Sequence, residues 1–132
     1  MANTLYDLGR NAFANAGINW NSDTIKMIPV TSAYTPNLAT DQFLSIITSG
    51  ILASGVALTG KSTNAGQCFA SPVTFTGISS GSIIAQFVIY KDTGSSSTSP
   101  LIGLINVGVG LPATSDGGNI TITFFGNEVF EL

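Results

Sequence analysis

Near the start of the chain, apolar residues recur at spacings of three and four. Leu5, Leu8, Ala12, Phe13 and Ala16 make one stripe across residues 3–17, which predicts a short amphipathic helix of about three turns. Asn3 or Thr4 is placed to cap its first turn, and Asp7 lies where the helix dipole favours an acid. Gly17 is expected to take the left-handed position that ends the helix. The pattern then changes. Residues 19–23 form a polar turn around Trp20, and residues 24–30 read as a strand. Pro29 has no N–H to give a ladder, so this strand is expected at a sheet edge or to stop there. Thr35-Pro36-Asn37 signals a turn, and residues 40–47 read as a second short helix capped by Thr40 and closed by Gly50.

From residue 51 onward, short runs rich in Val, Ile, Thr and Phe alternate with Gly, Ser, Asn and Pro. Strands are expected at 51–59, 67–77, 83–91, 100–107, 119–125 and 128–132. The run 83–90 is apolar on both faces, which requires a central place or a covered outer face. Residues 119–124 alternate cleanly and predict one wet face. Between these strands, residues 92–99 form a hydroxyl-rich loop with no large side chain to anchor it. The fold class that follows is mainly β: a single-domain β-sandwich of jelly-roll character spanning 1–132, with a short N-terminal helix in 1–17, one further short helix, and the main sheet region in 51–132.

Charge narrows the functional classes. Four basic and seven acidic residues make up 8% of the chain, about a third of the ~25% usual for a soluble domain. A net charge of −3 with scattered cations (Arg10, Lys26, Lys61, Lys91) gives no basic stripe for phosphates, so no nucleic-acid partner is expected. With no histidine, Ser-His-Asp and Cys-His chemistry are excluded. Residues 1–10 lack the basic and apolar regions of a signal peptide, and the apolar-leaning stretch 45–58 is interrupted by Ser, Thr and Gly. Neither membrane insertion nor export is expected.

Each residue that could carry chemistry has a plainer reading. The glycine-rich segment 103–110 lacks both phosphate-loop spacings and reads as strand and turn glycines. Asp92 and Asp116 sit in Asp-Thr-Gly and Asp-Gly-Gly turns, where the side chain bonds its own backbone. A two-carboxylate glycosidase remains formally open, but no cation loop pattern accompanies them. Cys68, the single cysteine, reads as a buried inert thiol. Tyr6, Trp20, Tyr34 and Tyr90 could stack on a sugar, but core or interface packing is the simpler role. No catalytic residue, cofactor or metal is expected.

Several segments together carry a resemblance. They include 1–13, Ile18-Asn19-Trp20, 23–26, 33–44, Leu58-Thr59-Gly60-Lys61, Val73-Thr74-Phe75-Thr76, 88–94 and Gly117-Gly118-Asn119-Ile120-Thr121-Ile122. As a set they resemble a family of small structural proteins of tailed bacteriophages, over nearly the whole chain. The chain is poorer in charge than that pattern through its middle, as in Ser79-Ser80-Gly81-Ser82-Ile83-Ile84. The resemblance implies a non-enzymatic virion component made in the host cytoplasm and residing on the capsid surface. A head decoration or cement protein is the first choice: a homo-oligomer, by preference a trimer, bound to the major capsid protein. The alternatives are a neck, tail or fibre component, or a carbohydrate-binding module for host attachment. The N-terminal segment and the 92–99 loop are the preferred contact regions.

Overall fold

The computed structural model describes residues 4–105 and 113–132. Strands hold 36% of the chain and helices 11%, which makes the fold mainly β, a sandwich-like single domain. The principal sheet has five antiparallel strands. In chain order these are β1 (Thr4–Leu5), β2 (Ile25–Val30), β3 (Val56–Ala57), β8 (Gln86–Lys91) and β9 (Leu101–Ile105), and in space they run β1-β9-β8-β2-β3. Three small sheets lie against one face: β4 (Ser62–Asn64), β5 (Gln67–Phe69) and β12 (Glu128–Glu131); β6 (Val73–Phe75) with β11 (Ile120–Ile122); and β7 (Ile83–Ile84) with β10 (Ala113–Thr114).

The principal sheet is buried on both faces, as residues 86–90 of the apolar run require, whereas Ile83 at the start of that run lies in β7 and is exposed. Ile25, Met27, Phe87 and Ile89 point into the main core with Phe75 and Phe130 from the small sheets and Phe124 from the link after β11, and the Phe75 and Phe87 rings stack at 5.3 Å. On the opposite face Ile28, Val30, Val88, Tyr90, Leu101 and Leu104 pack with Tyr6, Tyr34 and Ile47. A bulge in β9 makes this possible. Ile89 pairs with Gly103 and Tyr90 with Leu101, so Ile102 is the extra residue and Leu101 joins Leu104 on the second face.

The helix α1 is Asp7–Ala14, shorter at its start than the apolar stripe predicts. Thr4 and Leu5 pair with Leu104 and Gly103 of β9, because the strand's open backbone groups compete successfully for this segment. The expected Asn3 or Thr4 cap does not form: Tyr6 is the N-cap, without a side-chain bond, and Asp7 N–H donates to Leu38 O at 2.8 Å. At the other end Gly17 N–H bonds Ala12 O (2.7 Å) and Ala16 N–H bonds Phe13 O (3.2 Å). This is a Schellman motif in which Ala16, not Gly17, holds the left-handed position, at φ 66°. The helix docks on the protein's own sheet. An added Cβ on Gly9 would meet Leu101 O at 2.5 Å, so only glycine permits that approach.

Other departures from expectation have local causes. Strand β2 is not an edge. Pro29 O accepts from Leu52 N–H on the side away from β8. The missing N–H faces the same side, so the ladder to β8 loses nothing. The second helix is a single 3-10 turn, Leu44–Ile46, because Gln42 O and Leu44 N–H are taken by Leu101 N–H and Ser99 O. Pro72 divides the expected strand 67–77 into β5 and β6. The expected 83–91 strand divides at Ala85, whose N–H turns to Val30 O. Of 51–59, only the Ile51 bridge and β3 pair. The polar strand β4 was unforeseen; Ala65 and Gly66, both at positive φ, fold it onto β5 in a two-residue turn. Residues 106–107 of the expected 100–107 strand lie outside the described residues.

Ala16→Gly is expected to raise stability by about 1 kcal/mol, removing the left-handed strain of an alanine, and to raise Tm by about 4 °C. Gly9→Ala should do the opposite, losing about 2 kcal/mol through overpacking although alanine favours helix. Thermal unfolding of the two variants checks both signs.

Candidate interaction surface

The basic residues are spent on local contacts. Lys26 Nζ lies 2.8 Å from Asp92 Oδ2 and Lys91 Nζ lies 3.1 Å from Asp23 Oδ2. Arg10 pairs with Asp7 one helical turn away, and Lys61 donates to Asp23 O. All four cations therefore have a partner within the chain. The Lys26 ammonium and the Gly94 N–H hold the Asp92 carboxyl below its usual range. Burial pushes Asp23 the other way, but the Asn19 N–H and Lys91 outweigh it and the net shift is downward. What remains outward is largely hydroxyl, amide and glycine. Ser62, Thr63 and Asn64 of β4 are all exposed, and Thr74 and Thr121 bond across β6 and β11 at 3.0 Å. The Ile120–Ile122 strand alternates, with Thr121 outward and Ile122 inward, as its sequence requires. Single apolar side chains punctuate this surface; Ile46 and Ile83 are more than half exposed.

The 92–99 loop is anchored, contrary to expectation, by hydrogen bonds in place of side-chain bulk. Ser99, buried, donates to Ser95 O at 2.7 Å and accepts from Thr93 N–H at 3.1 Å. Ser96 O accepts from Ser45 N–H at 3.0 Å. The loop's outer hydroxyls are thus presented on a fixed frame.

The residues that could carry chemistry occupy separate places. Asp92 closes the β8–β9 hairpin and bonds Gly94 N–H at 3.0 Å. Asp116 lies in the turn between β10 and β11 and bonds Gly118 N–H at 2.9 Å. Both make the Asx turns their sequences indicate. Cys68 is buried in β5, where burial pushes its thiol up to about 11, far from a nucleophile's range. Gly103 is a strand glycine against which Thr4 O lies, 2.9 Å from where a Cβ would be; Gly108 and Gly110 lie outside the described residues. Tyr6, Trp20, Tyr34 and Tyr90 are all buried, so none offers a face to a sugar. Trp20 donates its Nε1–H to Phe69 O at 3.0 Å and meets the Phe130 ring edge-on. Among the described residues, no three of Cys, Asp and Glu gather as metal ligands, and no helix is long and apolar enough to cross a membrane.

Sequence reasoning missed one buried polar chain. Tyr34 donates to Asp41 Oδ2 at 2.7 Å, so the 2.7 Å contact between the two phenol oxygens requires Tyr6 to donate to Tyr34. Asn37 N–H also donates to Asp41 Oδ2, at 2.9 Å, and Gln86 Nε2 donates to Tyr34 O at 3.0 Å. This chain fastens the 31–50 connection over the second face of the principal sheet. The available signal was slight: an aspartate, Asp41, a short distance after Tyr34-Thr35-Pro36. No family model matches the chain, and no curated protein or solved structure matches it.

Burial pushes the Tyr6 and Tyr34 phenols above the ordinary value of 10.0. The unfolded chain loses these protons first, so their contribution is complete below pH 10 and disappears as pH rises beyond it. The expected decline is about 1.4 kcal/mol per pH unit for each tyrosine. Tyr34→Phe is expected to lose about 1–3 kcal/mol at neutral pH through broken hydrogen bonds and to show a visibly shallower alkaline decline. Urea titrations from neutral to strongly alkaline pH measure both; equal slopes in the two proteins would contradict the assignment.

Proposed function

We propose that the protein is a non-enzymatic structural component of a bacteriophage particle. It binds the outer face of the shell, against the major capsid protein, as a decoration or cement protein, and does so as a homo-oligomer, by preference a trimer. The observation that carries this reading is the charge-poor surface: every cation is held by a partner in its own chain, leaving mainly hydroxyl and amide groups with scattered isoleucines to meet a neighbour. Contacts of that kind work through shape, apolar burial and short hydrogen bonds, and salt screens them little. They suit a subunit repeated over many identical sites. The sequence resemblance to small phage structural proteins supports the same reading.

The edges of the principal sheet bear on how the subunit meets the lattice. Its outer strands β1 and β3 are two residues long, the blunted form that resists strand addition. Contact is therefore assigned to faces and loops, foremost the anchored 92–99 loop and the polar side of α1, in preference to edge pairing. A neck, tail or fibre position uses the same surface at lower copy number. The carbohydrate-binding alternative is disfavoured, because the four rings it needs are turned into the core.

Quantitative mass spectrometry of purified particles is expected to give a copy number in the hundreds, where a neck or fibre part would give about twelve or fewer from the symmetry of the tail. Binding of the pure protein to shells lacking it is expected to change little between about 0.1 M and about 1 M salt, since few charges are free to be screened. Release from shells at high salt, or absence from mature particles, would sink the proposal.

A further inference from the structure

The turn after β10 holds a reactive arrangement that the structural role does not use. Ser115 is buried, and its hydroxyl donates to Ile78 O at 3.0 Å while accepting Gly117 N–H at 3.2 Å. Its backbone is engaged as well: Ser115 N–H bonds Ser82 O at 2.8 Å and Gly81 N–H bonds Ser115 O at 2.7 Å. Just outside sits Asp116, exposed, with its Oδ1 held by Gly118 N–H at 2.9 Å. Gly117 follows at φ 87°, where a Cβ would have only Ser80 Cβ nearby, at 3.6 Å.

An aspartate followed by glycine can react with its own backbone, because no side chain shields the next nitrogen. Asp116 is the only aspartate in the chain that precedes glycine; Asp7, Asp23, Asp41 and Asp92 precede Leu, Thr, Gln and Thr. We propose that Asp116 is a site of spontaneous isoaspartate formation, restrained in the folded protein by the Ser115 hydroxyl. In the reaction, the Gly117 nitrogen bonds to the Asp116 side-chain carbonyl carbon. One carboxyl oxygen leaves as water, taking the amide proton and the carboxyl proton, and a five-membered imide remains. Water then adds to the imide's main-chain carbonyl and breaks that carbon's bond to nitrogen. The chain now runs through the former side-chain carbon, and the former main-chain carbonyl becomes a free carboxylate. One water leaves and one returns, so mass is unchanged and no co-reactant is needed.

The restraint follows from the same bonds. Attack requires the face of the Gly117 nitrogen to meet the side-chain carbon, which means turning the peptide plane. Ser115 Oγ fixes that plane through the N–H, and its lone pair is available because its own proton is committed to Ile78 O. Gly118 N–H holds the carboxylate separately. Conversion inserts one main-chain atom directly beside the Ser115 bonds that join the 77–84 segment to the 113–118 turn, and so loosens β7 from β10.

The test uses the full chain, aged at physiological temperature and neutral pH and then cut with trypsin. Because Lys91 is the last basic residue, Asp92 and Asp116 fall in one peptide, and Asp92 serves as the internal control. Methyl transfer by an isoaspartyl methyltransferase, located by fragmentation, is expected at Asp116 and not at Asp92. Ser115→Ala should accumulate the product several-fold faster, Ser115→Thr should restore the slow rate by returning the hydroxyl, and wild type in urea should match or exceed Ser115→Ala. Gly117→Ala in urea should be slower than wild type in urea. No product at Asp116 in wild type, folded or in urea, would overturn the site. Equal rates in folded wild type and Ser115→Ala, with urea faster than both, would overturn the restraint.

Discussion

A sheet that is apolar on both faces must be covered twice, and this constraint organises the molecule. Strands β2, β8 and β9 supply side chains to two cores at once, so neither face can be left to water without exposing a row of large aliphatic residues. One face is covered by regular structure, the three small sheets. The other is covered by the 31–50 connection, which has almost no regular structure of its own and is held by the Tyr6, Tyr34 and Asp41 hydrogen-bond chain. Burying a carboxylate and two phenols is tolerable only because both phenols and the Asp41 Oδ2 are hydrogen-bonded. Removing one partner therefore loosens the cover of a whole core.

The scarcity of charge acquires meaning from this arrangement. Asp41 closes the cover; Asp23 gathers Lys91, Lys61 and the Asn19 N–H around the turn that follows α1; Lys26 and Asp92 bind β2 to the start of the 92–99 loop. Pairs exposed to this degree stabilise the fold only modestly, but they set the geometry of turns, and they leave the outside with no unpartnered cation and few charges. That scarcity of free charge is the feature on which the proposed lattice role rests.

Legibility in the sequence followed the range of the interactions. The double-sided burial of Gln86–Lys91, the wet face of Ile120–Ile122 and the Asx turns at Asp92 and Asp116 are local or periodic, and the chain reveals them directly. The helix was legible in its stripe but not at its start, since Thr4 and Leu5 are claimed by a strand a hundred residues away. The division of long apolar runs into short strands of different sheets was hidden, although Pro72 marked one break. Strand β4 has no apolar signal at all and exists because Ala65 and Gly66 accept positive φ. The 31–50 cover was hidden for another reason: its apolar residues Tyr34, Leu38, Leu44 and Ile47 follow no single period, and its anchor is a polar contact that no hydrophobic pattern encodes.

The solitary thiol of Cys68, sealed in β5 between β12 and β4, gives the molecule a private clock. Lacking a second thiol, the chain cannot form an internal disulfide, and as long as the three-stranded sheet stays shut the thiol is out of reach of other thiols and of oxidants alike. Its alkylation is therefore paced by how often that sheet opens, so one unaltered atom records the breathing of the small-sheet layer.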